Sequence, residues 1–291
     1  MPVFSNDDFR TKYRPRRYEE MWQGLDYPAI KRLRREEELL RYPRGLIFCG
    51  EYGCGKTTAA RIRGMRTSCW NYKKNPSEPC GECAGCRAAM KDGYGPDYFE
   101  LDATQESLRR RIDEALRRSS IAKVHSHPHV PRVFFIDEAH RAGPKTQETL
   151  LKDIEDHQEA LFILSTTQPD KLDPAIRKRC TLYLFEAPPV NLAAPRIEAV
   201  ARLENLNLEP GVAQYIAEAK KGVPRDCLGV LYDLSFNGTK VTMAEVEQQL
   251  RSEHLSETYY QGTSSVCAAA ANGLEGTSNG ANSRNRPSHP A

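Results

Sequence analysis

Eight residues, GEYGCGKT from Gly50 to Thr57, satisfy G-x-x-x-x-G-K-[ST] at every fixed position. They stand where a phosphate-binding loop must stand, after the apolar run Gly45 to Gly50 and ahead of a helix-like stretch. Gly50, Gly53 and Gly55 permit φ > 0 and let backbone N–H groups, that of Cys54 among them, approach an anion with no Cβ in the way. Helix onset at Lys56, Thr57 and Thr58 adds the positive end of the peptide dipoles. Lys56 is in reach of the β/γ-phosphates of a bound nucleotide, and the Thr57 hydroxyl is placed to bind Mg²⁺. A chance glycine-rich turn would have no counterpart elsewhere in the chain, and here a counterpart exists.

That counterpart is PRVFFIDEAH, residues 131–140, an apolar run ending in two adjacent carboxylates. Asp137, at the C-terminal end of the predicted strand, can hold the Mg²⁺ shell. Glu138 is expected on the opposite face of the pleat, where it can polarise a water for in-line attack. Together with the loop, the pair predicts hydrolysis as well as binding. A third apolar run, ALFILSTT from Ala160 to Thr167, ends in hydroxyls. Read alone it admits two roles for Thr166: a hydrogen bond to the γ-phosphate or attacking water, or the polar end of a strand before the turn Gln168-Pro169-Asp170.

Nine cysteines, with no signal peptide and no long apolar segment, imply a reducing cytoplasm and no membrane span. Cys80, Cys83 and Cys86 follow C-x2-C-x2-C spacing, and Cys69 across a proline-containing turn supplies a fourth sulfur. Four thiolates on one Zn²⁺ leave no open position for water, so such a site is structural and staples a polar insertion with little core of its own. Disulfides or idle thiols are the other readings of the cluster. Cys49, Cys54, Cys180, Cys227 and Cys267 have no such spacing.

These residues carry a resemblance. KYRP at Lys12 to Pro15, the loop at Gly50 to Thr57, the four-cysteine insertion, IDEAH at Ile136 to His140 and LLKDIED at Leu150 to Asp156 resemble, in the same order, the bacterial clamp-loader ATPase family of DNA polymerase III subunit gamma/tau. STTQPDKLDPAIRKRC resembles that family's sensor and Ser-Arg-Cys segment, and GVPRDCL its second sensor, so the likeness runs from about residue 10 to 250. The delta-prime subunit shares the combination but typically has a degraded phosphate loop, whereas the loop here is intact. The resemblance implies an AAA+ P-loop ATPase that uses ATP to load a sliding clamp on primer-template DNA, alongside other clamp-loader subunits in an oligomer, without polymerase chemistry of its own. It makes Arg179 an arginine finger for a neighbouring subunit's ATP, worth about 10³ to 10⁵ in rate, and Arg225 the second sensor. By sequence alone Arg177 to Arg179 is a basic tripeptide at the end of a predicted helix. Three departures stand out: Lys178 replaces a serine, Val223-Pro224 replaces Ser-x, and the chain ends where the family continues into a helical collar, so collar-mediated assembly is not expected. The alternative reading is a delta-prime-like accessory or scaffold subunit that holds ATP as a structural switch.

The elements required to position these groups are legible. Apolar runs near residues 45–49, 97–102, 132–136, 160–165 and 181–185 alternate with helical patterns such as Glu106 to Ser119 and Thr146 to Asp156. This predicts an α/β fold, a parallel sheet with helices on both faces and ligand at the strands' C-terminal ends. The expected domains are an ATPase with its zinc-stapled insertion over residues 1–187, a small helical lid over 188–253 with helices at Pro195 to Asn205, Val212 to Lys220 and Arg225 to Leu234, and a disordered low-complexity tail over 254–291. Thr242 and Glu245 form a predicted capping box for a further helix, Met243 to Ser252. Net charge is +3, yet the first 66 residues hold fifteen Lys/Arg against nine Asp/Glu, an excess able to follow nucleic-acid phosphates non-specifically. His125, His127 and His129 on a proline-broken stretch raise a second metal site, against an ordinary loop.

Overall fold

A computed structural model describes residues 8–92, 94–95, 97–105, 107–121, 130–253 and 255. The three histidines from His125 to His129, Cys267 and, Leu255 apart, the expected disordered tail lie outside the described residues. The chain divides into two compact units, Met1–Val241 and Thr242–Ala291, each described by itself.

Six strands form the main sheet of the first unit: β1 Gly45–Cys49, β2 Tyr94–Gly95, β3 Tyr98–Asp102, β4 Arg132–Asp137, β5 Ala160–Thr166 and β6 Thr181–Leu184. Their order is β2-β3-β4-β5-β1-β6. All pairings are parallel except that of the edge strand β2, an antiparallel addition absent from the sequence-based expectation. The five expected apolar runs are the five parallel strands. The near-continuous apolarity of β1, β4 and β5, the strands inside the sheet, has a direct cause in burial on both faces. Leu46, Phe48, Val133, Phe135, Leu161 and Ile163 enter one apolar cluster. Ile47, Phe134, Ile136, Phe162 and Leu164 enter the other. Alternation along each strand thus feeds two helical layers. On the second face Phe99, Phe134 and Phe162 stack across three neighbouring strands at 5.0 and 5.1 Å between ring centroids.

The helices are α1 Phe9–Lys12, α2 Pro28–Leu39, α3 Lys56–Thr67, α4 Ala84–Asp92, α5 Leu108–Ile121, α6 Pro144–Asp156, α7 Pro174–Arg179, α8 Val190–Leu203, α9 Val212–Ala219 and α10 Pro224–Ser235. Of the expected linker at Ala187 to Asn191, Ala187 to Pro189 lies between β6 and α8, while Val190 and Asn191 open α8 itself. α8 starts earlier than expected: Pro189 is its N-cap, and Pro195, read from sequence as a helix start, sits inside it. Val223-Pro224 is absorbed without distortion, because Val223 is the extended N-cap of α10 and Pro224 opens its first turn, where a missing N–H costs nothing. α1 is tied to this helical region, with Lys12 Nζ 2.6 Å from Glu204, Tyr13 donating to the same carboxylate, and the Phe9 ring against Tyr232. In the second unit the capping box forms as expected: Glu245 accepts from the Thr242 N–H at 2.8 Å, and the Glu245 N–H donates to Thr242 Oγ1 at 3.4 Å. Among the described residues no helix is long and apolar enough to cross a membrane.

A charged knot joins α2 to α3. Arg63, fully buried, reaches Glu36 at 2.7 Å and Glu37 at 3.2 Å, and Arg66, also fully buried, donates to the Pro76 carbonyl at 2.6 Å. Tyr42 donates to Glu37 at 2.9 Å and Tyr183 donates to Glu36. Burial pushes the Glu37 carboxyl upward while the two guanidiniums pull it down. Removing one partner of such a set leaves a charge buried without compensation. Arg63→Ala is therefore expected to lower stability by about 3–5 kcal/mol in urea denaturation, whereas a loss below about 1 kcal/mol would show that the knot contributes no more than a surface pair.

Candidate nucleotide site and cysteine cluster

Parallel pairing sets the strand ends level. Cys49 pairs with Thr166 and Asp102 with Asp137, so the loop after β1 and the carboxylates after β4 emerge at one edge of the sheet. A cavity of ≈ 330 Å³ opens there, within the size range of small-molecule sites. Gly53, Cys54, Gly55, Lys56, Thr57 and Thr58 line one wall, Asp137 and Glu138 another, and Arg225 a third. Gly50 sits at the loop's root: a Cβ there would lie 1.9 Å from the Phe185 carbonyl oxygen, so only glycine fits. Gly55, at φ 97, is the N-cap of α3 and directs that helix's first N–H groups toward the cavity.

Lys56 is buried and its Nζ donates to the carbonyls of Gly50 and Glu51, both at 2.7 Å. Burial lowers its pKa from the usual lysine value. Thr57 Oγ1 donates to Asp137 Oδ2 at 3.2 Å, joining the two motifs at the oxygens that would hold Mg²⁺. Cys54 is buried, burial pushes its thiol up, and its carbonyl accepts from Gln23 Nε2 at 2.8 Å. It serves as a packed filler beneath the loop.

Glu138 departs from the pleat argument. β4 ends at Asp137, and Glu138 takes φ 51, a left-handed conformation costing about 1–3 kcal/mol. The turn brings its carboxylate to the same cavity as Asp137 instead of to the opposite face. Glu138 Oε2 accepts from Tyr52 OH at 3.1 Å and lies 3.5 Å from His140 Nε2 and 3.9 Å from Arg141 Nε.

The cavity is fitted for a polyanion. Arg14 enters its wall, with its pKa lowered first by burial and then by the positive charge of Arg61 and Arg225. The opposing Glu100 is already forked by Arg61 at 2.8 and 2.7 Å. Arg10, Arg14, Lys56, Arg61 and Arg225 against Glu100, Asp137 and Glu138 leave the lining with a positive excess that phosphate oxygens match in charge. Reading by motif missed Arg14, Arg61 and Tyr52, which line the cavity, and His140, which is outside that lining and 3.5 Å from Glu138. KYRP, the phosphate loop and DEAH held three of them, but only tertiary placement brings them to the site.

Three expected residues are not in that wall: Gly50, at the root of the loop, Thr166 and Arg179. Thr166 is fully buried, with its hydroxyl accepting from the Gln168 N–H at 2.9 Å and 3.0 Å from His140 Nδ1. Arg179, at the end of α7, keeps 58% of its side chain exposed and pairs with Glu155.

Beyond the C-terminal end of α3, the sulfurs of Cys69, Cys80, Cys83 and Cys86 lie within 4.8 Å of one another. The N–H groups of Cys80, Cys83 and Cys86 donate at 3.4 Å to Cys69, Cys80 and Cys83 respectively, and Trp70 N–H also donates to Cys83 at 3.4 Å. The hydrogen bond with Cys86, aided by backbone N–H groups, holds the Cys69 thiol well below its usual value, while the same contact and burial raise that of Cys86. Four convergent sulfurs within 4.8 Å of one another fit a single Zn²⁺. Cys49, Cys180 and Cys227 lie outside the cluster as free thiols.

The family model described as DNA polymerase III, delta subunit, matches residues 26–189. DNA polymerase III subunit gamma/tau of Mycoplasma pneumoniae is 30% identical over 246 residues, 81% of this chain and 34% of that protein. DNA polymerase III subunit tau of Bacillus subtilis is 30% identical over 228 residues, 78% of this chain and 39% of that protein. The chain thus spans a third to two fifths of the length of these relatives. Among solved structures, the Thermotoga maritima RuvB Holliday junction branch migration motor superposes with a TM-score of 0.57 at 19% identity, covering 84% of this chain and 72% of that one. The fold is the AAA+ parallel α/β architecture.

Proposed function

The chain belongs to this DNA polymerase III subunit family, and on that premise we propose that it binds and hydrolyses ATP as a clamp-loader subunit of the gamma/tau kind. The observation that carries the proposal is the 3.2 Å contact of Thr57 with Asp137, with Glu138 on the same cavity. Lys56 and the N-terminal end of α3 take the β/γ-phosphates, Arg14 and Arg225 add charge from two other elements, and Thr57 with Asp137 holds Mg²⁺, which when bound neutralises phosphate charge. Glu138 orients a water toward the γ-phosphate. The intact loop favours the hydrolysing subunit over a delta-prime-like scaffold. Partners in this reading are other clamp-loader subunits, a sliding clamp and primer-template DNA held non-specifically, in a cytoplasmic replication assembly. Residues 1–187 act as the ATPase domain, 188–253 as a lid bearing Arg225, and 254–291 as a tail.

Arg179 is given to a neighbouring subunit. Its exposure and surface pairing with Glu155 suit a group recruited across an interface better than one serving its own cavity. The cysteine cluster takes Zn²⁺ as a structural ion.

Three outcomes test this reading. Wild-type chain mixed with clamp-loader partners, clamp and primed DNA should turn over ATP, while Glu138→Gln binds nucleotide but loses turnover by at least about 100-fold; binding without turnover in the wild type would favour the scaffold. Arg179→Ala should lower ATPase activity about 10³-fold in the assembled complex and little in the isolated chain, and equal losses in both would remove the shared site. Elemental analysis of the purified chain should find about one zinc per chain, lost together with thermal stability in Cys83→Ser; a metal-free, equally stable wild type would refute the zinc assignment.

A further inference from the structure

Between Thr166 and Glu138 stands one side chain, His140. It is 5% exposed, with Nδ1 3.0 Å from Thr166 Oγ1 and Nε2 3.5 Å from Glu138 Oε2. Thr166 Oγ1 accepts from the Gln168 N–H and carries one proton of its own, for which His140 Nδ1 at 3.0 Å is an acceptor within reach. Donation to Nδ1 fixes the ring in the tautomer carrying hydrogen on Nε2, directed at the carboxylate. The opposite tautomer would set a nitrogen lone pair against the Glu138 oxygens. The order Gln168 N–H to Thr166, Thr166 O–H to His140, His140 N–H toward Glu138 uses each donor once and leaves no clash.

We infer that His140 is a positioning residue for Glu138, itself oriented by Thr166, so that Thr166 influences hydrolysis at second remove and not by touching nucleotide. The fully buried Thr166, outside the cavity wall, supports this assignment. Tyr52, reaching the same Glu138 oxygen from the phosphate loop at 3.1 Å, adds a second contact to the carboxylate, so the left-handed backbone of Glu138 carries a side chain held by two neighbours. The inference rests on the reading of Glu138 as the hydrolytic base.

Steady-state ATPase kinetics of the full chain in its assembled complex, compared across His140→Ala, His140→Gln, Thr166→Val and the His140→Ala/Thr166→Val double variant, test it. Both single variants should lower kcat about 10- to 100-fold with KM for ATP changed less than about threefold. The double variant should fall no further than His140→Ala, because both act through one chain of contacts. His140→Gln, whose amide can occupy the place of Nε2, should recover part of the loss. Losses that multiply in the double variant, or a Thr166→Val effect confined to KM, would overturn the inference. A second readout needs no turnover: ¹⁵N shifts of the His140 ring should report the Nε2–H tautomer in the wild type and a shifted tautomer balance in Thr166→Val. An Nδ1–H tautomer in the wild type, or no change on removing the hydroxyl, would refute the contact chain even if the protein proves not to hydrolyse ATP.

Discussion

Residues eighty positions apart in sequence meet where the Thr57 hydroxyl donates to Asp137, and the functional account depends on that meeting. Neither residue could arrange it alone. The contact follows from β5 lying between β1 and β4, all parallel, so that the ends of β1 and β4 open at one edge. It also requires the chain to leave β1 abruptly. Gly50 makes that turn because the Phe185 carbonyl occupies the space any Cβ would need. Sheet order, loop glycines and the paired strand end are three expressions of one constraint: a phosphate cradle has to be presented to a carboxylate at a few ångströms.

Helix α3 carries that cradle, and much of the surrounding structure fixes where the helix sits. Its N-terminal end is the loop, and Cys69 follows just past its C-terminal end. Its C-terminal half is held by Arg63 and Arg66, both fully buried, Arg63 against Glu36 and Glu37 and Arg66 against Glu37 of α2. Burying four charges gains little net stability over an apolar core, since desolvation consumes most of the Coulombic attraction. The arrangement does, however, discriminate strongly among positions of the helix, because slippage would leave charges unmatched in a dry interior. The cysteine cluster lies beyond the far end, its four sulfurs within 4.8 Å of one another.

Much of this was written plainly in the chain. Five apolar runs became five parallel strands, most nearly continuous in β1, β4 and β5, which lie inside the sheet and are buried on both faces. The loop motif and the C-x2-C-x2-C spacing were legible because each compresses a whole coordination geometry into neighbouring residues. What escaped was set by contacts distant in sequence or by single backbone angles. Glu138 was expected across the pleat, but strand periodicity lapses where β4 ends and φ turns positive. Arg14 joins the cavity only because the segment after α1 bridges the helical region and the core. Pro195 looked like a helix start, yet α8 began at Val190 and carried the proline within it. His140 was visible as a letter of DEAH, but its partner Thr166 comes from a different strand.

The central claim is that Lys56 and the joined Thr57–Asp137 pair form one magnesium-dependent triphosphate site. Isothermal titration calorimetry of the purified chain with ATP, with and without Mg²⁺, and of Lys56→Ala addresses it directly. The account predicts saturable heat with about one site per chain, weakened without Mg²⁺ and abolished in Lys56→Ala. No heat in the wild type, or an isotherm in Lys56→Ala matching that of the wild type, would contradict it.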